Sequence, residues 1–128
     1  MRIVPYRLTA TIAAAASTAT ATFSDSKRSL PRGKVLAVEV NYPSHTVALT
    51  LIGTNDTVSQ TLLNLSAAST DLVVYPRVPI TTNASVAITY DGTRAVYTEY
   101  LLYGDFVLSL ASGTAGDSVT VTVYVEEQ

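Results

Sequence analysis

Apolar and polar residues alternate along most of this chain, and the pattern is clearest near its C-terminal end. In the stretch VTVTVYVEE, valine occupies every second position from residue 119 to residue 125: Val119, Val121, Val123 and Val125. A period of two residues is typical of a β-strand that buries one face and leaves the other accessible. We therefore expect these valines to lie in the core and the opposite face of this strand to remain available for contacts.

The same period predicts strands through most of the remaining chain. Residues 72–75 form a short run that two following prolines confine to an edge or a corner of a sheet. Pro43-Ser44-His45 makes the turn of the best hairpin, and Asp91-Gly92 predicts a tight turn. The other predicted strands span residues 6–12, 18–23, 35–42, 47–51, 58–65, 86–90, 94–103 and 105–110.

The predicted elements indicate the fold class. Only AAAAS at residues 13–17 is helix-prone, and this segment is too short to form a helix alone. Roughly eight to ten short strands without βαβ alternation predict an all-β antiparallel sandwich or small barrel, and we favour a jelly-roll-like sandwich. A chain of 128 residues fits one domain.

Charge divides this single domain into two parts. Residues 1–34 carry six Lys or Arg against one acid, a net charge of +5, whereas residues 35–128 carry two against nine, a net of −7. We therefore expect a basic N-terminal strand or arm with its loop at 1–34, and a β-sandwich body at 35–128. The arm would lie on its own acidic body or on a neighbour's, unless its charges are simply solvated at a sheet edge.

The N-terminal residues also suggest a secretory leader. Arg2 and Arg7 precede an apolar run, and Ala19-Thr20-Ala21 has the small residues of a cleavage site. However, Thr9 and Thr11 interrupt the apolar run with the period of a strand. We expect a strand here and no cleavage.

The sequence offers no catalytic constellation, and we expect no enzyme activity, no cofactor and no metal site. The chain has no Cys, and its single histidine, His45, lies in a predicted turn beside Ser44, where adjacent side chains diverge. Most aspartates lie beside predicted turns, where they bind the backbone. A basic stripe with interleaved aromatics is missing, as is an apolar run of about 18–20 residues, so neither nucleic acid nor a membrane is an expected partner.

A low charge content favours contacts with protein. Only 14% of the residues are charged, below the roughly 25% of ordinary soluble domains, and eight are tyrosines. Tyrosine suits a surface that is wet when free and dry when bound, although it also packs on sheets of its own chain. We therefore take the basic N-terminal residues and two tyrosines of YTEYLLYGD as candidate partner-binding residues: Arg2, Arg7, Lys27, Arg28, Arg32, Tyr97 and Tyr103.

Two stretches, DLVVYPRVPI and SGTAGDSVTVTVYVEE, together with the spread of strands, resemble small β-rich decoration or cement proteins of tailed bacteriophages. The resemblance implies a non-enzymatic virion protein that is made in the host cytoplasm and binds the capsid exterior. It also implies a homo-oligomer, most often a trimer, that contacts the major capsid protein across subunit junctions and stabilises the shell.

Two alternatives remain open at this point. A secreted or surface-displayed β-sandwich could bind carbohydrate or a host receptor, because exposed tyrosine faces can stack on sugar rings. Other virion roles, in a tail or a connector, fit the same composition. The sequence does not specify the host, the capsid type or the stoichiometry.

Overall fold

The computed structural model describes residues 2–23, 30–55 and 57–127. These residues form an all-β fold without a helix, as the alternation predicts, and their eleven strands exceed the predicted count by one. The strands are β1 (Arg2–Thr11), β2 (Ala19–Phe23), β3 (Arg32–Asn41), β4 (Val47–Asn55), β5 (Val58–Ala68), β6 (Leu72–Val74), β7 (Arg77–Pro79), β8 (Tyr97–Glu99), β9 (Leu101–Tyr103), β10 (Phe106–Ala111) and β11 (Ser118–Glu127).

Two antiparallel sheets make up the body. Sheet A has the order β1-β11-β3-β6, with β9 also paired to β3, and sheet B has the order β2-β10-β4-β5. If β7, β8 and β9 are left out, the remaining eight strands follow the orders 1-8-3-6 and 2-7-4-5. This arrangement is the eight-stranded jelly roll, so the predicted fold is confirmed.

The inward face of β11 lies at the centre of the core. Val121, Val123 and Val125 have no exposed surface, and Val119 is 1% exposed, which confirms the predicted core face. The prediction that the opposite face stays available is wrong at Thr122, which is 1% exposed because β11 lies between β1 and β3. Sheet B packs its own alternate residues against this layer, because a strand buries every second side chain. Its largest fully buried members are Leu49, Leu51, Phe106 and Leu108.

Residues 2–23, which the sequence analysis grouped with the basic arm, supply one strand to each sheet. β1 pairs with β11 along its whole length, from Arg2 opposite Glu127 to Thr11 opposite Ser118. The Tyr6 hydroxyl donates a hydrogen bond to Glu127, and burial together with this carboxylate raises the pKa of Tyr6 to about 12. The proposed boundary at residue 34 falls inside β3.

The connection between β6 and β10 carries an insertion that the eight-stranded jelly roll does not contain. β7 and β8 pair with each other, from Arg77 opposite Glu99 to Pro79 opposite Tyr97, and the intervening chain extends beyond them. β9 then returns to β3, with Arg32 opposite Tyr103. We call residues 77–99 the inserted lobe.

We expect Val121→Asp to unfold the domain. The substitution places an unpaired carboxylate where no solvent reaches, and the loss in the free energy of unfolding should be at least about 4 kcal/mol. Val58→Asp is the matched control, because Val58 is 69% exposed and its substitution should change stability by no more than about 0.5 kcal/mol. Circular dichroism melting compares the two variants, and a folded Val121→Asp protein would contradict the assigned core.

Candidate interaction surface

The basic residues predicted to bind a partner do not form one patch. Arg2 and Arg7 lie exposed on β1, at one edge of sheet A, whereas Arg32 lies exposed on β3, beside β9 at the opposite edge. Lys27 and Arg28 lie outside the described residues. The described part of the basic segment is therefore divided between two sheet edges.

The two predicted tyrosines lie on the side of sheet A that carries Arg32. The Arg32 Cζ atom lies 5.1 Å from the ring centroid of Tyr103, within the distance of a cation–π contact. Tyr97 begins β8, inside the inserted lobe, and is 59% exposed. Arg32 and Tyr103 thus form one cluster. The inserted lobe, which contains Tyr97, ends just before β9, the strand that carries Tyr103.

A ring of three backbone hydrogen bonds holds the inserted lobe together. The Ile80 N–H donates to the Val96 carbonyl at 2.8 Å, the Ile88 N–H to the Ile80 carbonyl at 2.8 Å, and the Val96 N–H to the Ile88 carbonyl at 2.9 Å. Each residue therefore donates to one member of the ring and accepts from the other. This closure fixes three chain segments against one another without a buried core beneath them.

Two similar turns connect the three segments. The Thr82 N–H donates to the Val86 carbonyl at 2.8 Å, and the Tyr90 N–H donates to the Arg94 carbonyl at 3.1 Å, so each turn encloses three residues. Ser85 and Gly92 have positive φ values of 63° and 86°, the backbone region that such tight turns require. Both turns therefore close by local backbone geometry.

The side chain of Asp91 organises the second turn. Its Oδ1 atom accepts hydrogen bonds from the Thr93 N–H at 3.0 Å and the Arg94 N–H at 2.6 Å, and its Oδ2 atom accepts from Arg94 Nε at 2.5 Å. The Arg94 and Thr93 backbone N–H groups, followed by the Arg94 side chain, lower the pKa of Asp91 to about 2. The carboxylate is thus already bound within its own turn.

Apolar exposure is concentrated in and around the inserted lobe. Every residue from 80 to 94 is exposed. Of the eleven large apolar side chains that are exposed in the described residues, nine lie between residues 73 and 103. We call these nine the apolar lobe surface: Val73, Tyr75, Ile80, Val86, Ile88, Tyr90, Tyr97, Leu101 and Tyr103.

The inserted lobe carries no net charge. Its two acids and two bases lie in pairs, because Arg77 is opposite Glu99 at the base of the lobe and the Asp91 side chain pairs with Arg94. The Arg94 guanidinium also lies 5.2 Å from the Tyr90 ring centroid. A partner would therefore cover this region without removing an unpaired charge from water.

Hydrogen bonds to β3 fasten the base of the inserted lobe to the jelly roll. The Arg77 Nη1 atom donates to the Leu36 carbonyl at 3.2 Å and to the Pro76 carbonyl at 2.7 Å. The Val35 N–H donates to the Tyr100 carbonyl at 2.8 Å, just after the lobe ends. The lobe is therefore held where it enters and where it leaves the body.

Side chains from sheet B seal the outer edge of β9. Asn55 Nδ2 donates to the Leu101 carbonyl at 2.8 Å, and Asn55 Oδ1 accepts from the Tyr103 N–H at 2.8 Å. Gln60 Nε2 also donates to the Leu101 carbonyl, at 2.5 Å. These side chains satisfy the backbone of β9, so its contribution to any contact comes from its exposed side chains.

The sequence analysis did not identify the inserted lobe as a unit. Alternation at Val86, Ile88 and Tyr90 predicted a regular strand, but the structure shows only isolated bridges there, and all three side chains are exposed. A period of eight residues, rather than two, marks the lobe: Ile80, Ile88 and Val96 form the hydrogen-bond ring, and the turn residues Asn83 and Asp91 repeat at the same interval.

Groups with catalytic potential are dispersed. His45 Nδ1 lies 2.9 Å from Asp117 Oδ2, a partner that the sequence analysis did not propose. Among the hydrogen bonds of the described residues, none joins a hydroxyl group to this histidine. Residues 2–23, 30–55 and 57–127 contain no group of three His, Asp or Glu side chains that could hold a metal ion, and no helix in them is long and apolar enough to cross a bilayer.

Two surface clefts flank the body. One, of about 520 Å³, lies beside β9 and is lined by Leu30, Thr54, Tyr103, Gly104 and Asp105. The other, of about 300 Å³, is lined by Val4, Pro5, Tyr6, Arg7 and Phe23. The first lining contains the hydroxyls of Thr54 and Tyr103 and the carboxylate of Asp105, but no hydrogen bond among the described residues joins these side chains to one another. The apolar lobe surface is the larger feature of the described residues.

No family model, curated protein or solved structure matches the chain. The resemblance to phage decoration proteins therefore stays a prediction, and the proposed function depends on the geometry of the inserted lobe.

Amide exchange tests the hydrogen-bond ring. We expect the Ile80, Ile88 and Val96 amides to exchange at least about tenfold more slowly than the amides of the turn residues Asn83 and Gly92, because only the ring amides donate to the backbone. Hydrogen exchange followed by NMR measures all five. Equal exchange rates would show that the ring does not persist in solution.

Acid titration tests the second turn. Because the folded pKa of Asp91 is lowered from 3.8 to about 2, its stabilisation of the turn is fully present above pH 3.8 and is lost as the pH falls through about 2. The Thr93 and Arg94 amide shifts should therefore titrate near pH 2. Asp91→Asn removes the titrating group and should abolish this step, whereas a midpoint near pH 4 would contradict the proposed turn.

Proposed function

We propose that this protein is a non-enzymatic structural protein that works by assembly, as a decoration or cement protein on the exterior of a phage capsid. One observation carries the proposal: the inserted lobe, a self-closed projection of the jelly roll, exposes apolar side chains and balances its own charge. Such a surface suits burial against another protein. In this proposal the protein is made in the host cytoplasm, binds the major capsid protein and acts as a homo-oligomer, with a trimer as the expected order.

The apolar lobe surface supports an assembly role through its free energy of hydration. Exposed apolar area is unfavourable by roughly 25 cal/mol per Å² relative to its buried state. Contiguous apolar patches larger than a few hundred Å² are uncommon on monomeric proteins and usually mark interaction sites. The nine side chains of the apolar lobe surface are concentrated at one region of the chain, so burial in an assembly is the natural way to remove this cost.

The jelly roll is compatible with the proposal but does not decide it. Viral capsid domains and lectins both use this fold, and a fold alone does not establish a function. Two observations on the described residues favour a structural role over catalysis: their reactive groups are dispersed, and the inserted lobe projects from the body.

The second candidate is binding of carbohydrate or a host receptor through exposed tyrosine rings. Tyr75 and Tyr97, at 65% and 59% exposure, offer rings on which a sugar could stack. However, Arg94 and Arg32 already lie against Tyr90 and Tyr103, which reduces the ring area free for stacking. Capsid assembly is therefore the stronger proposal, and glycan arrays test the alternative.

A shell-binding assay tests the decoration role. Purified protein added to shells of the producing virus that lack it should co-sediment with them and raise their melting temperature. A ligand that binds only the assembled shell stabilises it by RT ln(1 + [L]/Kd) per site, about 2.7 kcal/mol when [L] is about 100 Kd. Absence of co-sedimentation at every salt concentration, with retention on a glycan array, would replace this function with the alternative.

The predicted basic residues of β1 provide a test of the shell contact. Arg2→Ser/Arg7→Ser should weaken shell binding at low salt by about fivefold, since exposed charge pairs contribute up to about 1 kcal/mol. High salt should reduce the difference because it screens exposed charges. Arg2→Lys/Arg7→Lys is the matched control, since it changes the same two positions and keeps both positive charges, so its binding should stay close to that of the unmodified protein. Equal binding by the double variant and the unmodified protein at low salt would exclude these arginines from the contact.

A further inference from the structure

We propose that the apolar lobe surface is the interface with a second copy of this chain. The inference rests on the proposed assembly function and deepens it, because it assigns the inserted lobe to self-association and leaves the opposite edge of sheet A, where Arg2 and Arg7 lie, to the shell. Three observations support a copy of the same chain as the occupant: the exposed area, the charge balance and the state of the adjoining sheet edge.

The exposed area matches one side of a standard interface. Four tyrosines of the apolar lobe surface are 53–65% exposed and five aliphatic side chains are 36–61% exposed. An aromatic side chain offers roughly 150–250 Å² and an aliphatic one somewhat less, so together they present roughly 800 Å² of apolar surface. A stable protein–protein interface buries about 800 Å² on each partner.

The charge balance permits identical surfaces to meet. When copies of one chain associate, a surface with a net charge meets the same net charge on its neighbour, and like charges oppose association. The inserted lobe avoids this repulsion because residues 77–99 carry two acids and two bases, and Asp91 and Arg94 already pair within one chain. A partner that bound by charge complementarity would instead require a net charge on the surface of the lobe. The structure provides no such net charge in this segment.

The edge of sheet A beside the inserted lobe has unequal protection. Asn55 and Gln60 seal β9, as described above, but β6 ends the sheet and pairs only with β3 through residues 38–40. Val73 and Tyr75, at 50% and 65% exposure, lie on this short edge and just after it. An exposed apolar edge invites pairing, and an interface with a second copy would cover it together with the lobe.

Paired substitutions of β-branched residues test the inference. Val86→Thr/Ile88→Thr replaces two β-branched apolar side chains of the lobe with a β-branched polar one, and it leaves the backbone hydrogen-bond ring in place. Ile3→Thr/Val58→Thr is the matched control, because Ile3 and Val58 are 59% and 69% exposed but lie outside the apolar lobe surface. Melting by circular dichroism checks that both double variants are folded.

Light scattering after size exclusion, at tens of micromolar protein, measures the mass. We expect a multiple of 13.6 kDa for the unmodified protein and for Ile3→Thr/Val58→Thr. For Val86→Thr/Ile88→Thr we expect a dissociation constant raised by at least about tenfold and a shift towards 13.6 kDa. A monomeric unmodified protein, or a lobe variant as oligomeric as the control, would overturn the inference.

Shell binding by the lobe variant and by the unmodified protein separates this inference from the proposed function. If the lobe variant is monomeric and still binds shells through each copy, both proposals are supported. If the unmodified protein oligomerises through the lobe but never binds shells, the decoration role fails and the self-association interface stands. If the lobe variant stays oligomeric and loses only shell binding, the occupant of the lobe is the shell, and the inference is wrong.

Discussion

Burial of the valine face of β11 is the interaction on which the rest of the structure depends. This strand lies between β1 and β3 in sheet A, and its inward valines face the leucines and Phe106 of sheet B. Without β11, β1 would have no partner strand in sheet A. β3 would lose its neighbour on the side away from β6 and β9, the strands that flank the inserted lobe. The lobe has no core of its own, so its position follows from β3 and therefore from β11.

The sequence pattern was sufficient for the jelly roll because each long strand keeps one face in the core. Residues 119–125, the strands β3 and β4, and the N-terminal strand through Tyr6 and Ala10 all show the two-residue period and were predicted as strands on that basis. The predicted hairpin between β3 and β4 is wrong, because β3 pairs with β11 in sheet A, whereas β4 pairs with β10 and β5 in sheet B. The inserted lobe could not be predicted in the same way. Val86 and Ile88 have the composition of core residues, and only the tertiary arrangement shows that nothing from their own chain covers them.

The candidate binding residues illustrate the same limit. Net charge identified residues 1–34 as basic but did not show where each base lies in the sheet. The structure places Arg7 on the edge strand β1 and Arg32 on β3, beside β9 and on the other side of β11. Contact between Arg32 and Tyr103 depends on the pairing of β3 with β9, which lie far apart in sequence and are joined by a register of only three residue pairs. Pairing between short strands that lie far apart in sequence cannot be recognised from the alternation of apolar and polar residues within either strand.

The two ends of the inserted lobe lie side by side, since Arg77 is the antiparallel partner of Glu99. Opposed residues of an antiparallel pair lie about 4.5–5.5 Å apart at their Cα atoms, a gap that a two-residue turn can close. The lobe can therefore be regarded as a module separate from the jelly roll, because the chain leaves the body and returns to it at the same point of the sheet edge. A different segment grafted at that point would give the same scaffold a new specificity, which makes this junction a natural position for exchange by recombination and for display of foreign peptides.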